Sequence, residues 1–203
     1  MEIRPESEND YLKVEELVRN SFWNVYRPGA YEHFIVHNLR GDESFMENMA
    51  YVIEDDGKII GDINYSVGEI RYENDVEPAV ILGPVAVDIT CQNQGLGSKL
   101  IRYTLKILEK ENIPFVFVVG DENYYSRFGF KTASDYGIFL EATDLNDKNP
   151  FFMIKIFNRH KLRDGQVIFH IPDVFHVNQS DVDEFDRQFE FRKKLIKQGQ
   201  LGV

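Results

Sequence analysis

The chain has 203 residues, a hydrophobic fraction of 43% and a formal net charge of −11 at pH 7. This length and apolar content predict one compact domain, or one domain with a modest extension, and exclude a disordered chain. The negative charge argues against general nucleic-acid binding, which depends on lysine and arginine contacts to phosphates. Two interpretations of the charge remain open: a cationic substrate, or solubility alone.

The chain has a single cysteine, Cys91, which excludes an intrachain disulfide framework and fits a reducing compartment. The amino-terminal residues MEIRPE contain no apolar run that could serve as a signal peptide. Nowhere do about 18 apolar residues follow one another, so no membrane span is predicted. A cytoplasmic location is expected.

Apolar spacing predicts two helices and three strands in the first half of the chain. Ser7, with Asp10 three residues on, forms an imperfect capping box before helically spaced apolar residues. Asp55-Asp56-Gly57 is a turn signal between two strands, and a later, near-continuous apolar run is typical of a strand buried on both faces. The predicted elements are a helix after Ser7, a helix over 31–40, and strands over 51–53, 58–67 and 79–87.

The second half predicts a long helix with a leucine-rich buried stripe, a strand, and a short helix that ends at Gly129. Glycine commonly caps the carboxyl end of a helix. The predicted elements are helices over 96–112 and 123–128 and strands over 115–119, 139–141 and 151–157.

The pattern changes after residue 158. The remaining segment predicts a short strand over 167–171 and an amphipathic helix that Ser180 opens. The apolar side of this helix comprises Val182, Phe185, Phe189 and Ile196. A segment of this length rarely holds a core by itself. We therefore predict a main domain over 1–158 and a C-terminal extension over 159–203 that packs on it.

The most informative stretch is a buried strand, a polar loop and a helix whose start contains Gly95 and Gly97. The first N–H groups of a helix have no partner within it, and the helix dipole is positive at that end. Glycines let an anion approach the backbone, so a phosphate or pyrophosphate is the natural ligand. The stretch lacks the Gly-Lys-Ser/Thr ending of a Walker loop, and Leu100 replaces the third glycine of the dinucleotide fingerprint.

Gln92, Gly95 and Gly97, preceded by a Val-x-Val strand that ends at Val87, resemble the acetyl-CoA signature of the GNAT superfamily of N-acetyltransferases. The segment 123–130, NYYSRFGF, is similar to that superfamily's aromatic-Tyr-x-x-x-Gly-Phe segment and looks like one branch of it. The resemblance implies an α/β (α+β) fold, in which helices flank a mixed, splayed β-sheet.

The resemblance also implies which residues bind acetyl-CoA as co-substrate. The loop and helix start would hold the pyrophosphate, and the preceding strand would offer backbone groups to the pantetheine arm. By position these residues are Val85, Val87, Gln92, Asn93, Gln94, Gly95, Leu96, Gly97 and Ser98. The Val85 N–H would face the thioester carbonyl, where such a donor could lower the barrier by about 3 kcal/mol. Plain core packing of Val85 and Val87 is the alternative.

Tyr125 matches the superfamily tyrosine close to the CoA sulfur, where a phenol with a pKa of about 10 could protonate the leaving thiolate as a general acid. Packing at a helix–sheet junction is the alternative role for Tyr125, and its neighbour Tyr124 is interpreted as structural. The general base is not identified, because Ile81 stands where many relatives have a carboxylate. Candidates by residue type are Glu32, His33, Asp121 and Glu141.

Three other features are given less weight. His33 and His37 share a helix face, but Phe34 stands where a zinc-protease helix needs glutamate, so no metal is predicted. The aromatic cluster 22–26 either lines an acceptor pocket or belongs to the core. Cys91 is interpreted as a small buried residue and not as a nucleophile.

The predicted function is transfer of acetyl from acetyl-CoA to a small-molecule or peptide amine by direct attack, in a monomer or homodimer with no nucleic-acid or membrane partner. The alternative from another class is an acyl-CoA-binding sensor without turnover, which the missing carboxylate at Ile81 favours. A different acyl donor or a hydroxyl acceptor would also fit the fold.

Overall fold

The computed structural model describes residues 1–163 and 165–200. The chain forms two compact units. The first comprises Met1–Asn64, Pro84–Leu100 and the described residues from Val174 onward, and the second comprises Tyr65–Gly83 and Ile101–Asp173.

The first unit is built from α-helices and antiparallel strands. Its elements are β1 (Glu2–Pro5), α1 (Tyr11–Phe22), α2 (Glu32–Leu39), β2 (Tyr51–Asp55), the start of β3 (Lys58–Arg71), the end of β4 (Val76–Val87), the start of α3 (Leu96–Lys110) and, late in the chain, α5 (Gln179–Phe185). Strand β2 pairs antiparallel with β1, Ile53 opposite Ile3, and with β3, Val52 opposite Asp62.

Helical spacing explains the core of the first unit. Val14, Leu17 and Val18 recur on one side of α1 and are at most 6% exposed. They pack in one cluster with Val36, Val52, Ile59 and Ala86. This cluster fixes α1 and α2 against the strands that precede the loop at residues 88–95.

The second unit contains the rest of β3, β4 and α3, followed by further strands. These are β5 (Phe115–Val119), α4 (Glu122–Tyr125), β6 (Lys131–Thr132), β7 (Ile138–Leu140), β8 (Phe152–Ile156) and β9 (Val167–His170). Strand β5 pairs parallel with β4 and antiparallel with β8, which in turn pairs with β6. Strand β9 pairs parallel with β7 and antiparallel with β3, and β3 neighbours β4.

Aromatic side chains fill the core of the second unit. Phe117 stacks on Phe152 with ring centroids 5.3 Å apart, and it contacts Phe169 at 4.5 Å. Ile81 lies in the same cluster and is 4% exposed. These rings explain why the strands predicted over 115–119 and 151–157 are apolar and buried in this unit.

The ladder between β4 and β5 ends early. It runs from Val80 opposite Val116 to Leu82 opposite Val118, whereas β4 continues to Val87. Gly83, immediately after the ladder, has a φ of +140°, a conformation that favours glycine. The parallel ladder thus covers only part of β4, and the predicted mixed, splayed sheet flanked by helices is confirmed.

Most predicted elements are confirmed, with shifted ends. Strand β3 extends to Arg71 and β4 begins at Val76, and β1 was not predicted. The predicted stripe of α3 is at most 7% exposed, namely Leu96, Leu100, Ile101, Leu105 and Leu108. None of the helices in the described ranges has the length and apolar character needed to cross a bilayer.

The predicted C-terminal helix is shorter than expected. It begins at Gln179 but ends at Phe185, and Ile196, expected on its apolar side, is 75% exposed. Asp186 accepts hydrogen bonds from Arg19 Nε at 2.8 Å and His33 Nε2 at 3.1 Å. Burial opposes ionisation of Asp186, but these bonds lower its pKa to about 2. The contacts of Asp186 with Arg19 and His33 thus fix the chain at the point where the helix was predicted to continue.

Candidate functional site

The loop between β4 and α3 is organised by Asp88. The Asp88 carboxylate accepts hydrogen bonds from Thr90 N at 2.9 Å and Thr90 Oγ1 at 2.6 Å. Lys58 Nζ, from the start of β3, lies 2.6 Å from the other carboxylate oxygen. The bond to Lys58, together with those to Thr90, lowers the pKa of Asp88 to about 2. The loop therefore starts from a fixed, ionised anchor.

Backbone conformation then turns the loop into the helix. Gly95 has a φ of +83°, and a Cβ on it would meet nothing within 4 Å, so open space lies beside the helix start. Asn93 also has a positive φ, at 61°, which asparagine tolerates better than most residues. The predicted loop positions from Gln92 to Gly95 are exposed, Leu96 is buried, and Gly97 and Ser98 are half-buried.

The carbonyl of Val87 is already occupied. It accepts hydrogen bonds from Ser21 Oγ at 2.9 Å and from Gln92 Nε2 at 3.2 Å. Two partners use both lone pairs of the oxygen, so the Val87 carbonyl is not available to a ligand. Val85 and Val87 are both half-buried and follow the end of the β4–β5 ladder.

Tyr125 lies in the second unit at the end of α4. Asp121 caps this helix by accepting from Asn123 N at 2.9 Å. The Tyr125 ring packs against Phe130 at 5.8 Å and Tyr124 at 5.1 Å, and the residue is half-buried. Gly129 caps the following turn with a φ of +87°, as predicted.

The Tyr125 ring packs against Gly120, which has no side chain. A Cβ on Gly120 would lie 2.5 Å from Tyr125 Cε2, closer than real Cβ contacts. We expect Gly120→Ala to displace this ring and to cost about 1–3 kcal/mol of unfolding free energy, measured by denaturant titration. Gly41→Ala is the control, because its nearest neighbour would be 3.7 Å away. Equal stabilities of the two variants would contradict the close packing.

Two of the predicted base candidates serve structural roles. His33 is fully buried and lies 3.1 Å from the Asp186 carboxylate, between the rings of Phe185 and Phe189. The Asp121 carboxylate caps α4. Both side chains are therefore held by the protein's own groups.

The other two candidates are also engaged. Glu141 accepts from Ile171 N at 3.0 Å and lies 2.7 Å from His170 Nδ1. Glu32 accepts from Tyr31 N at 2.9 Å, and burial raises its pKa. The hydrogen bonds of the Glu32 carboxyl are thus to backbone N–H groups.

Sequence reasoning missed a further carboxyl, Asp62 in β3. Asp62 and Asn64 are both fully buried, and Asn64 Nδ2 donates to Asp62 Oδ2 at 2.8 Å. Burial raises the pKa of Asp62 well above its ordinary value. The available signal was polar alternation at 62, 64 and 66 within an otherwise apolar strand, a pattern that normally marks a solvent-facing side.

The remaining features have simple explanations. His37 Nδ1 lies 2.9 Å from Glu15 Oε1, and no group of residues in the described part of the chain could hold a metal ion. Phe22 packs on the core of the first unit, whereas Trp23 Nε1 donates to Lys193 O at 3.2 Å. Cys91 is half-buried, which corrects the prediction of a buried residue.

A mixed, splayed sheet with a glycine-containing strand–loop–helix turn is the arrangement expected of an α/β acyltransferase. A family model described as an acetyltransferase (GNAT) domain matches residues 2–133, and the chain belongs to this superfamily of N-acetyltransferases. The prediction of the family and of its acyltransferase class is thereby confirmed.

Similar proteins agree with this assignment. The uncharacterized N-acetyltransferase YhbS of Escherichia coli K12 is 32% identical over 138 residues, which cover 68% of this chain and 78% of YhbS. A crystal structure of YhbS in complex with CoA has a TM-score of 0.73 at 25% identity, covering 87% of this chain and 92% of that one. A GNAT acetyltransferase from Brucella melitensis in complex with acetyl-CoA has a TM-score of 0.67 at 26% identity, covering 86% and 97%.

Proposed function

We propose that this chain transfers the acetyl group of acetyl-CoA to a primary amine by direct attack, without a covalent enzyme intermediate. The observation that carries the proposal is the turn from β4 into α3, where Gly95 leaves open space beside a helix start. Helix starts with accessible N–H groups bind phosphates. Relatives of similar fold bind CoA or acetyl-CoA, and this supports the same co-substrate here.

The proposed cofactor contacts are those of the superfamily signature. Backbone N–H groups of the loop and first helical turn hold the pyrophosphate, and β4 holds the pantetheine arm beyond its ladder with β5. The residues are Val85, Val87, Gln92, Asn93, Gln94, Gly95, Leu96, Gly97 and Ser98. Backbone donors suit this task because their positions are fixed by the fold.

The chemistry needs two proton movements. A primary ammonium with a pKa of about 10.4 must lose a proton before its nitrogen can attack the thioester. The Val85 N–H stabilises the negative charge that develops on the thioester oxygen. As the C–S bond breaks, the amine nitrogen loses its second proton and the CoA thiolate gains one. Tyr125 is the proposed general acid for the protonation of the thiolate.

The proposal is tested by incubating the protein with acetyl-CoA and a panel of primary amines and peptides while free thiol is measured. We expect thiol release that depends on one class of amine, with the acetylated amine as the second product. The proposed acceptor is a small molecule or peptide, in a monomer or homodimer. Absence of release across a broad panel would contradict the enzymatic proposal.

One observation favours a second function, an acyl-CoA sensor. Ile81 occupies the position of the carboxylate of many relatives and is buried among the aromatic side chains of the second unit. A sensor would bind coenzyme A in titration calorimetry but release no thiol with any amine. Binding and turnover measured on the same preparation therefore separate the two functions.

Asp88 provides a test of the proposed cofactor loop. We expect Asp88→Ala to weaken coenzyme A binding about tenfold, because Thr90 N and Oγ1 lose their acceptor and the loop loses its anchor. Titration calorimetry measures the effect. The Asp88 pKa is lowered to about 2, so its contribution is present at neutral pH and is lost only as the pH falls toward that value.

The matched control for Asp88→Ala is Asp75→Ala. Asp75 also pairs with a surface cation, Arg163 at 2.9 Å, but it lies in the turn between β3 and β4 and not in the cofactor loop. We expect this control to bind coenzyme A as the wild type does. An equal loss in both variants would argue against the anchoring role of Asp88.

A further inference from the structure

Strand β3 carries a carboxyl group inside the first unit. Asp62 is 0% exposed, and the neighbouring residues on its face belong to the interior. One of its oxygens accepts from Asn64 Nδ2 at 2.8 Å. An ionised carboxylate in such a position is costly unless charges or hydrogen bonds compensate it, so its presence requires an explanation.

The hydrogen bonding of Asp62 and Asn64 is incomplete. Asp62 Oδ1 and Asn64 Oδ1 are both buried and have no hydrogen-bond partner in the described part of the chain. Both atoms accept hydrogen bonds and neither can donate one while Asp62 is ionised. A proton on Asp62 Oδ1 supplies the missing donor, and Asn64 Oδ1 is an acceptor on the side chain already bonded to Asp62. The pair is therefore better satisfied after Asp62 gains a proton.

The surroundings of Asp62, taken together, favour the same change. Arg40, at the end of α2, donates to Glu6 Oε1 at 2.6 Å and to Glu15 Oε1 at 2.8 Å. Its guanidinium is thus shared by two other carboxylates, from the end of β1 and from α1. Burial and the Glu6 charge raise the pKa of Asp62, while Arg40 and the bond from Asn64 oppose them.

Asp62 also lies beside the end of β4 that is proposed to hold the pantetheine arm. Asp88 N donates to Ile60 O at 3.0 Å, which brings the end of β4 beside this part of β3. Consecutive strands joined by a short turn run antiparallel, so two residues further along β3 correspond to two residues back along β4. Asp62 therefore lies about opposite Ala86, which Val85 and Val87 flank.

We propose that Asp62, held by Asn64, is the proton acceptor of the acetyl transfer, reached from the acceptor amine through water. The inference rests on the proposed acetyltransferase function. The ammonium gives one proton to the Asp62 carboxylate, and the neutral amine then attacks the thioester. The second amine proton goes with the leaving thiolate as CoA thiol, and Asp62 returns its proton to solvent. Charge and protons balance over the cycle.

The kinetic test is the pH–rate profile of Asp62→Asn. In the wild type, we expect kcat to rise with pH as Asp62 ionises, which gives the pH–rate profile a rising limb. The midpoint of this limb stays at the same pH when the amine is replaced by one of different pKa. We expect Asp62→Asn to lower kcat about 100-fold or more, to abolish the limb, and to leave the affinity for coenzyme A unchanged. Asp62→Ala, which removes the carboxyl without adding volume, serves as a second variant.

Asp10→Asn is the matched control. Asp10 is 3% exposed, but both of its oxygens have partners, Arg4 Nη1 at 2.7 Å and Arg4 Nη2 at 2.9 Å, and it lies outside β3. We expect this variant to lose stability and to keep the wild-type pH–rate limb. A uniform fall in activity at every pH in Asp62→Asn, with the limb retained, would overturn the inference and show a purely structural role.

A second readout does not depend on turnover. A folded-state pKa above the unfolded value stabilises the protein at low pH, and this stability is lost as the pH rises through the folded pKa. We compare the unfolding equilibrium constants of the wild type and Asp62→Asn at each pH. Between the unfolded-state and the folded-state pKa of Asp62, we expect their ratio to rise about tenfold per pH unit. A flat ratio would show that Asp62 takes up no proton there and would overturn the inference.

The outcomes separate the two proposals. An active wild type whose Asp62→Asn variant keeps the same pH–rate profile refutes the role of Asp62 and leaves the acetyltransferase proposal standing. A wild type that binds coenzyme A but acetylates no amine refutes the acetyltransferase proposal, and the role of Asp62 falls with it. Loss of the limb together with a sloping stability ratio supports both.

Discussion

Replacing Tyr125 by phenylalanine is expected to lower kcat about 100- to 1,000-fold while the affinity for coenzyme A stays within about twofold of the wild type. The phenol hydroxyl is the only group removed, and the ring that packs against Phe130 is kept. Because the hydroxyl is proposed to protonate the leaving thiolate, its loss affects the transition state and not cofactor binding. Steady-state thiol release and titration calorimetry measure the two quantities.

Tyr124→Phe is the control for this prediction. Tyr124 is the adjacent residue on the same short helix, and its ring lies under the Arg127 guanidinium at 4.8 Å and against Phe128 at 5.4 Å. These contacts are made by the ring, so we expect near wild-type kcat. Full activity of Tyr125→Phe, or an equal loss in both variants, would contradict the general-acid role.

Replacing Arg40 by methionine is expected to be strongly destabilising. Its side chain is 5% exposed and contacts the Glu6 and Glu15 carboxylates, which are themselves at most 3% exposed. Removing one partner of such a buried network leaves uncompensated charge and costs about 3–5 kcal/mol of unfolding free energy. For a chain of this length the expected fall in Tm is roughly 6–20 °C. Thermal and denaturant unfolding measure the loss.

The pH dependence of Arg40→Met has a definite sign. Burial already raises the pKa of Glu6, and Arg40 counteracts this shift. Without Arg40 the Glu6 pKa rises further, so the loss of stability relative to the wild type is smallest at low pH and grows as the pH rises. Arg71→Met is the control, because its pair with Glu69 at 3.0 Å is about half exposed and contributes little. Similar losses in both variants would contradict the burial argument.

The loop between β4 and α3 was predictable because its signal is local. The strand, the polar loop and the glycine-containing helix start are consecutive in the chain, so their pattern can be recognised without tertiary contacts. The positive φ of Gly95 is a conformation that glycine adopts readily. The short helix that ends at Gly129 was predictable for the same reason. The role of Asp88 was missed, because its partner Lys58 is 30 residues away in the chain.

The base candidates show the limit of residue type as a guide. Glu141 and His33 were plausible by chemistry, but the structure pairs the first with His170 and the second with Asp186. Those pairings join residues 29 and 153 positions apart, so they cannot be predicted from neighbouring residues. Asp62 was overlooked for the converse reason, because polar alternation on a strand normally indicates solvent exposure.

The sequence by itself determined the family, the order of most helices and strands and the loop between β4 and α3, since these depend on periodicity and on neighbouring residues. Only the tertiary structure decided that the ladder of β4 with β5 ends at Leu82, that the last helix stops at Phe185, and that Asp62 is buried beside Asn64. Each of these depends on contacts between residues far apart in the chain, whose desolvation and pairing energies outweigh local preference.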